Sequence, residues 1–329
     1  MVRFGVIGTN FITERFIQAA SLVEDFALTA VYSRTAQRAR QFAEPYGVTH
    51  LFTDLEQMAK SDAIDAVYIA SPNSLHAEQA ILFMEHGKHV LCEKPIASHA
   101  GELEKMIATS RAKRVALMEA MKSTMLPSFQ AIVEHLPKIG PIRRFLSTFC
   151  QYSSRYDALK AGTVLNAFNP ELSNGSLMDI GVYCIYPSIV LFGEPLSVKA
   201  NALMLPSGVD GQGSLLLKYE EMETVIQHSK ITDSALPSEI QGEQGSIVID
   251  KIHRPQHVEI RYRDGRTEDI SRPQASQEMM YEVREFIQLI KTGQLQSSTN
   301  SHERSLATMR VMDEARKQIG LTFPADSIN

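Results

Sequence analysis

The sequence of 329 residues contains no tryptophan and only three cysteines, Cys92, Cys150 and Cys184, which lie far apart along the chain. An odd number without close spacing argues against a disulfide framework and against a cysteine zinc site, and it suits a reducing cytoplasm. The net charge is −5 and no basic run exceeds one helix face, so no nucleic-acid partner is expected. No apolar stretch is expected to approach membrane-spanning length, and no membrane partner follows. The chain enters the strand-like VRFGVIG almost at once, so no signal peptide is expected. Internal repeats and low-complexity tracts are also missing. What is present is an ordinary globular composition, 44% hydrophobic and 22% charged, with length enough for two domains.

The first half alternates strands and helices. Val2–Ile7 is apolar enough for a buried parallel strand. It ends in Gly8-Thr9-Asn10-Phe11-Ile12-Thr13 and passes into a helical pattern with Phe16, Ile17, Ala20 and Val23 on one face. Strand, turn and helix in this order form the dinucleotide-binding context, in which backbone amides and the positive helix end face a pyrophosphate. The fit to G-x-G-x-x-G is incomplete, because Asn10 holds the second place and Thr13 the third. Asn tolerates left-handed backbone better than most residues, so the turn survives.

A second strand, Phe26–Tyr32, ends at Ser33-Arg34-Thr35 without the acid that would bind ribose hydroxyls. Arg34 and Arg38 instead offer charge to a 2′-phosphate, with Ser33 and Thr35 as hydroxyl donors. NADP(H) is therefore expected in preference to NAD(H), which is not excluded. Further strands are read at Leu51–Phe52, Ala66–Ala70, His89–Cys92 and Val115–Met118, with helices at Ser74–His86 and Ser98–Lys113 between them and Asp54 capping a short helix. This alternation predicts a doubly wound parallel sheet, with the tips after Ile7, Tyr32, Ala70 and Cys92 at one edge. The fourth of these tips is Glu93-Lys94-Pro95. Proline stops the strand and leaves an acid and an amine at the edge where ligands collect. His76, His86, His89 and His99 are read as structural or solvated, and no metal site is expected.

After Glu119-Ala120 the pattern changes. A helix near Leu126–Leu136 and a strand Ile142–Cys150 precede Asn174-Gly175-Ser176-Leu177-Met178-Asp179-Ile180-Gly181-Val182-Tyr183, which opens an apolar helix ending near Phe192. Asp179 and Tyr183 share a face of it, with Tyr186 on the same side. A carboxylate in an apolar helix needs a partner, and Gly181 allows close packing against the backbone. Residues 196–270 read as strands and turns, with a hairpin at Asp264-Gly265. Helices at about 277–291 and 302–319 finish the chain, joined by a polar connector at 292–301. The expected organisation is a Rossmann domain at 1–121 and an α+β domain at 122–329 with a largely antiparallel open sheet.

With GTNFI, SR after the second strand, ASPNSLH, HVLCEKP, LMEA and NGSLMDIGVY in this order, the chain resembles the Gfo/Idh/MocA oxidoreductases over nearly its whole length. MEAMKSTMLP and DIGVY are most similar to the dihydrodiol dehydrogenase branch. The resemblance implies a nicotinamide-dependent oxidoreductase acting on a sugar, polyol, diol or related carbonyl. It implies an open C-terminal sheet that makes a homodimer or homotetramer. By position, Lys94 corresponds to the catalytic lysine, Pro95 to a proline that often follows a cis peptide, Asp179 to the motif aspartate and Tyr183 to the acid/base. Pro72 and Asn73 correspond to the loop beside the nicotinamide ribose. The expected cofactor-binding set is Gly8, Thr9, Asn10, Phe11, Ile12, Ser33, Arg34, Arg38, Ser71, Pro72, Asn73, His76, Glu93 and Lys94.

The implied chemistry gives each catalytic residue a task. A free tyrosine titrates near ~10. The Lys94 ammonium would favour its phenolate and stabilise a developing alkoxide, and Asp179 would keep Lys94 charged and aimed. Tyr186 stands where many sugar-acting members have Asp, which weighs against a polyol. Two other readings stay open: a non-catalytic NADP-binding sensor, and a redox-assisted lyase or glycosidase with tightly held cofactor.

Overall fold

The computed structural model describes residues 1–327. It divides into two compact units, one of residues 1–122 with 276–302, the other of residues 123–275 with the C-terminal stretch from 303. The sequence expectation of a single cut after residue 121 thus needs amending, because residues 276–302 return to the first unit.

In the first unit, six parallel strands run in the order β3-β2-β1-β4-β5-β6. They are β1 (Val2–Ile7), β2 (Phe26–Tyr32), β3 (His50–Phe52), β4 (Ala66–Ile69), β5 (His89–Glu93) and β6 (Leu117–Ala120). This is the doubly wound arrangement expected, and strand order reverses between β1 and β4, where such sheets bind their ligands. Strand β4 is buried along its whole length, as a parallel strand covered on both faces must be. β6 begins two residues later than its apolar run suggests. Because side chains alternate with a period of two, that shift leaves the same residues facing the same side.

The helix Phe11–Ala20 buries Thr13, Phe16, Ile17, Ala19 and Ala20. Phe16 stacks on Tyr68 of β4 with ring centroids 3.7 Å apart, which fixes the tyrosine ring in the core. The helix Met280–Thr292 joins this unit, with Phe286 edge-on to Phe4 at 6.1 Å. The segment after it is more than a polar connector. Leu117 N donates to the Leu295 carbonyl at 3.0 Å, and the buried Asn300 side chain donates to the carbonyls of Glu119 and Met121. A backbone carbonyl and a polar side chain here complete the backbone bonding at a sheet edge, a task that composition alone does not reveal.

In the second unit, an eight-stranded sheet has the order β14-β13-β12-β11-β7-β10-β9-β8. Its strands are β7 (Ile142–Cys150), β8 (Ser197–Met204), β9 (Asp210–Lys218), β10 (Glu223–Ser229), β11 (Ser238–Gly242), β12 (Gly245–Ile249), β13 (Val258–Tyr262) and β14 (Thr267–Asp269). All neighbours are antiparallel except β7 and β10. Asp264-Gly265 makes the β13–β14 hairpin, with Gly265 at φ 88°.

One short helix, Ser154–Lys160, has no counterpart in the sequence reading. It buries none of its residues, so no apolar periodicity marks it. The expectation about membrane length is also corrected. Residues 170–192 form a helical stretch of mean hydropathy 1.5, long and apolar enough to span a bilayer, but 72% of its most apolar window is buried inside the structure. It reads as a core helix.

Candidate active site

The residues expected to act divide between the two units. In the first, Gly8 follows β1 with φ 106°, a left-handed backbone that favours glycine. A Cβ there would lie 2.6 Å from the Ala70 carbonyl oxygen, so the β1 and β4 tips touch through it. Asn10 does not take the left-handed backbone anticipated for it; its φ is −107°. It is the N-cap of the helix Phe11–Ala20. Its Oδ1 accepts from the amides of Ile12 and Thr13 at 3.0 and 3.2 Å, and its Nδ2 donates to the Ala70 carbonyl at 3.0 Å. Thr13 is fully buried on the inner side of the helix. The departures from glycine at these places therefore have structural tasks. Phe11 is exposed, with the Arg15 guanidinium 5.8 Å from its ring centre.

Arg38 donates to the Thr9 hydroxyl at 3.1 Å and to the Thr9 carbonyl at 2.5 Å, bracing the turn. The Thr35 hydroxyl caps the helix Ala36–Ala43 by accepting from the Arg38 amide. Ser33 is half-buried and donates its amide to Phe52, while Arg34 is exposed at the β2 tip. The fixed turn at the β1 tip, the helix end beyond it and the exposed Arg34 suit a nicotinamide dinucleotide with its pyrophosphate at the turn.

The β4 and β5 tips are tied together by His76. This buried ring meets the Ser71 and Pro95 carbonyl oxygens at 2.9 Å each, and a neutral imidazole can donate to only one of them. Burial lowers its pKa while the two carbonyls raise it. The Ser71 hydroxyl donates to Gln79 at 2.7 Å, and Pro72 and Asn73 are half-buried beside it. The Lys94–Pro95 peptide is cis. Lys94 is half-buried at the end of β5.

Glu93, at the end of β5, is buried. Its carboxyl accepts from the Tyr68 hydroxyl at 2.5 Å and from the Lys94 amide at 3.2 Å. Burial raises its pKa, against the opposing pull of Lys94. The buried Glu119 accepts from the Ile96 amide at 3.1 Å. Lys122 pairs with Glu278 at 3.0 Å, and Glu282 is completely buried with its pKa pushed well up by burial and then by Glu93. A buried acidic group therefore underlies the Lys94 turn. Tyr68, Glu278 and Glu282 gave no sequence signal, because each stands inside an ordinary strand or helix pattern.

In the second unit, Asp179 lies in a widened, π-type turn, Leu177–Gly181, which runs into the helix Val182–Phe192. Such turns are frequent at functional sites. Gly181 does permit close packing: a Cβ there would come within 3.3 Å of the His228 ring. The turn is held from below. The Leu177 amide donates to the buried Asp210 at 2.7 Å, and the Ser176 hydroxyl lies 2.9 Å from His228 Nδ1. Burial raises Asp210 to about 6 and lowers His228 to about 3, so at neutral pH the acid is ionised and the histidine uncharged, and their 3.9 Å approach is not an ion pair.

Tyr183 is half-buried, its ring edge-on to Phe149 at 5.8 Å and to His253 at 6.2 Å. Asp179 Oδ2 accepts from the Lys230 ammonium at 2.7 Å. Lys230, in the same unit as Asp179, is a partner that the sequence does not name. Lys230 follows a strand without any motif around it, which is why the sequence does not announce it. Tyr186 is fully buried, with its hydroxyl 3.0 Å from Ser305.

Known proteins agree with this architecture. Residues 2–121 match the model of an oxidoreductase family with an NAD-binding Rossmann fold, and residues 137–248 match the GFO/IDH/MocA C-terminal domain. The chain belongs to the Gfo/Idh/MocA family. It is 61% identical over 99% of both chains to scyllo-inositol 2-dehydrogenase (NADP(+)) of Bacillus subtilis. It is 28% identical to trans-1,2-dihydrobenzene-1,2-diol dehydrogenase of Xenopus tropicalis, over 98% of this chain and 99% of the other. A crystal structure of a 3-ketoreductase from Actinomadura kijaniata in complex with NADP and TDP-benzene superposes with a TM-score of 0.86 at 26% identity, covering 97% of this chain and 98% of that one. Membership makes this Gfo/Idh/MocA chain a nicotinamide-dependent oxidoreductase of CH–OH groups, as the ordered motifs imply.

Proposed function

We propose that this protein is an NADP(H)-preferring dehydrogenase of a cyclic polyol or sugar, with inositols the first substrates to try. The observation that carries the reading is the full-length 61% identity to scyllo-inositol 2-dehydrogenase (NADP(+)). The exposed Arg34, with no acid at the β2 tip, supports NADP(H) because a guanidinium suits a 2′-phosphate. The burial of Tyr186 removes the sequence objection to a polyol.

The cofactor supplies the hydride chemistry when bound. The chain's own residues handle the proton and the charge. Tyr183 would take the hydroxyl proton in alcohol oxidation and return it in carbonyl reduction. The Lys94 ammonium stabilises the negative charge that develops on oxygen. Gly8, Thr9 and the helix end behind Asn10 would hold the pyrophosphate, and Pro72 and Asn73 would hold the nicotinamide ribose. His76 and Glu93 act at one remove, by fixing the β4 and β5 tips.

This reading also places the protein in the cytoplasm and assigns the open face of the eight-stranded sheet, where Leu203 and Leu216 are exposed, to a homodimer or homotetramer. Light scattering on the purified chain checks the oligomer. The functional test is steady-state nicotinamide absorbance with a panel of inositols, aldoses, diols and dicarbonyls. NADP reduction with a polyol supports the reading. Conversion of substrate without net cofactor reduction points to redox-assisted elimination and overturns it.

A further inference from the structure

Lys230 is among the most deeply placed charges in the second unit. Its side chain is 3% exposed. It begins where β10 ends, with its amide donating to the Gly211 carbonyl at 2.9 Å and its own carbonyl accepting from the Ser153 amide at 2.8 Å. The backbone is therefore fixed on both sides. Its ammonium donates to Asp179 Oδ2 at 2.7 Å and to the Ala167 carbonyl at 3.0 Å, and lies 5.1 Å from the centre of the Phe168 ring. Two hydrogen bonds and a ring face account for the directions an ammonium can use. Nothing remains on Lys230 for a substrate oxygen.

A buried cation so enclosed costs solvation unless a carboxylate compensates it, and here the carboxylate is Asp179. Asp179 is different in character. Its side chain is one-third exposed, and it sits in the widened turn that leads into the helix carrying Tyr183. An exposed carboxylate would wander among rotamers. One gripped from behind by a buried, immobile ammonium presents a single face to whatever lies in front of it.

We propose that Lys230 is a positioning residue for the dehydrogenase reaction: it fixes the carboxylate of Asp179 and, through the shared turn, the placement of Tyr183. This deepens the proposed function and rests on it. Asp179 then has a fixed cationic partner within its own unit, and its contribution to turnover depends on Lys230.

The test uses the full-length protein with NADP and the polyol that gives the fastest cofactor reduction. Lys230→Met keeps the length of the chain but removes the charge. It should lower kcat by about tenfold or more while the Kd for NADPH, read by fluorescence, changes little. Lys230→Arg keeps the charge but puts a larger, planar guanidinium in a space filled by a compact ammonium, so its kcat should fall between wild type and Lys230→Met. Asp179→Asn should lose rate by itself, and adding Lys230→Met to it should cost no more than about a further twofold. A residue that only stabilises the fold would lower the melting temperature and leave kcat in the folded fraction unchanged.

A folded Lys230→Met with wild-type kcat overturns the proposal, as do losses that multiply in the double variant. Should Lys230→Met fail to fold, a wild-type kcat in Lys230→Arg overturns it instead. If the wild-type protein oxidises no alcohol in the panel, the functional reading fails first and the assignment of Lys230 falls with it.

Discussion

Asn10 offers the sharpest perturbation of the cofactor turn, because its side chain performs two jobs. As N-cap it accepts from the Ile12 and Thr13 amides, and its amide nitrogen donates to the Ala70 carbonyl. Capping by Asn is worth about 0.5–2 kcal/mol, and this cap, whose Ile12 bond is exposed, belongs in the lower half of that range. The bond to Ala70 adds about 0.5–1.5 kcal/mol, since Ala70 is buried and its carbonyl loses a donor. Asn10→Ala should therefore cost about 1–2.5 kcal/mol. Asn10→Gly loses the Ala70 bond but only a few tenths of a kcal/mol for the cap, so it should cost distinctly less. The chain has no tryptophan, so urea unfolding followed by far-UV circular dichroism is the assay. Equal losses for the two variants, or a loss below about 0.5 kcal/mol for Asn10→Ala, would show that the side chain does not cap the helix in solution.

Three further outcomes are expected. Arg34→Ala should weaken NADP binding by about 1.5–3 kcal/mol, roughly ten- to a hundredfold in Kd, and leave NAD nearly unchanged; equal losses in titrations of both cofactors would remove Arg34 from 2′-phosphate recognition. Lys94→Ala and Tyr183→Phe should each reduce kcat by a factor on the order of 10² with little change in cofactor affinity, and a near-normal rate in Tyr183→Phe would deny it the proton. Burial holds the Glu282 pKa well above 4.5 in the folded chain, so the folded state keeps a proton that the unfolded state releases. The contribution is fully present below pH 4.5 and falls as pH rises towards the folded value, by up to about 1.4 kcal/mol per pH unit. Glu282→Gln should flatten that part of the stability profile, whereas a profile parallel to wild type would mean the carboxyl is not buried in this way.

Much of the first unit was legible because parallel strands announce themselves. Val2–Ile7, Phe26–Tyr32 and Ala66–Ile69 are short apolar runs that end in turn residues and alternate with helical stretches, as strands of a parallel sheet do. Lys94, Asp179 and Tyr183 could be named because ordered motifs carried them. Their surroundings could not. Glu93 has the composition of an exposed turn residue, yet the Tyr68 hydroxyl arriving from the neighbouring strand holds it in the core. Residues 292–301 look like a loop by composition, but the Leu295 carbonyl and the Asn300 side chain bond to the backbone of β6 and of Met121 just after it. Lys230 and Asp179 are 51 residues apart, and no local period can express a contact made by one strand end and one helix turn. Asn10 shows the same limit at short range: the residue type permits a left-handed turn or a cap, and the Ala70 carbonyl within reach decides for the cap.

The proposed reaction passes hydride from a polyol carbon to the nicotinamide while the chain itself manages only proton and charge. Oxidation of scyllo-inositol deuterated at its ring carbons, with NADP and the wild-type protein, tests it directly by mass spectrometry of the reduced cofactor. The NADPH formed should carry one deuteron from the substrate carbon. NADPH without label, or a converted substrate with no accumulated NADPH and its label washed into solvent, would contradict it.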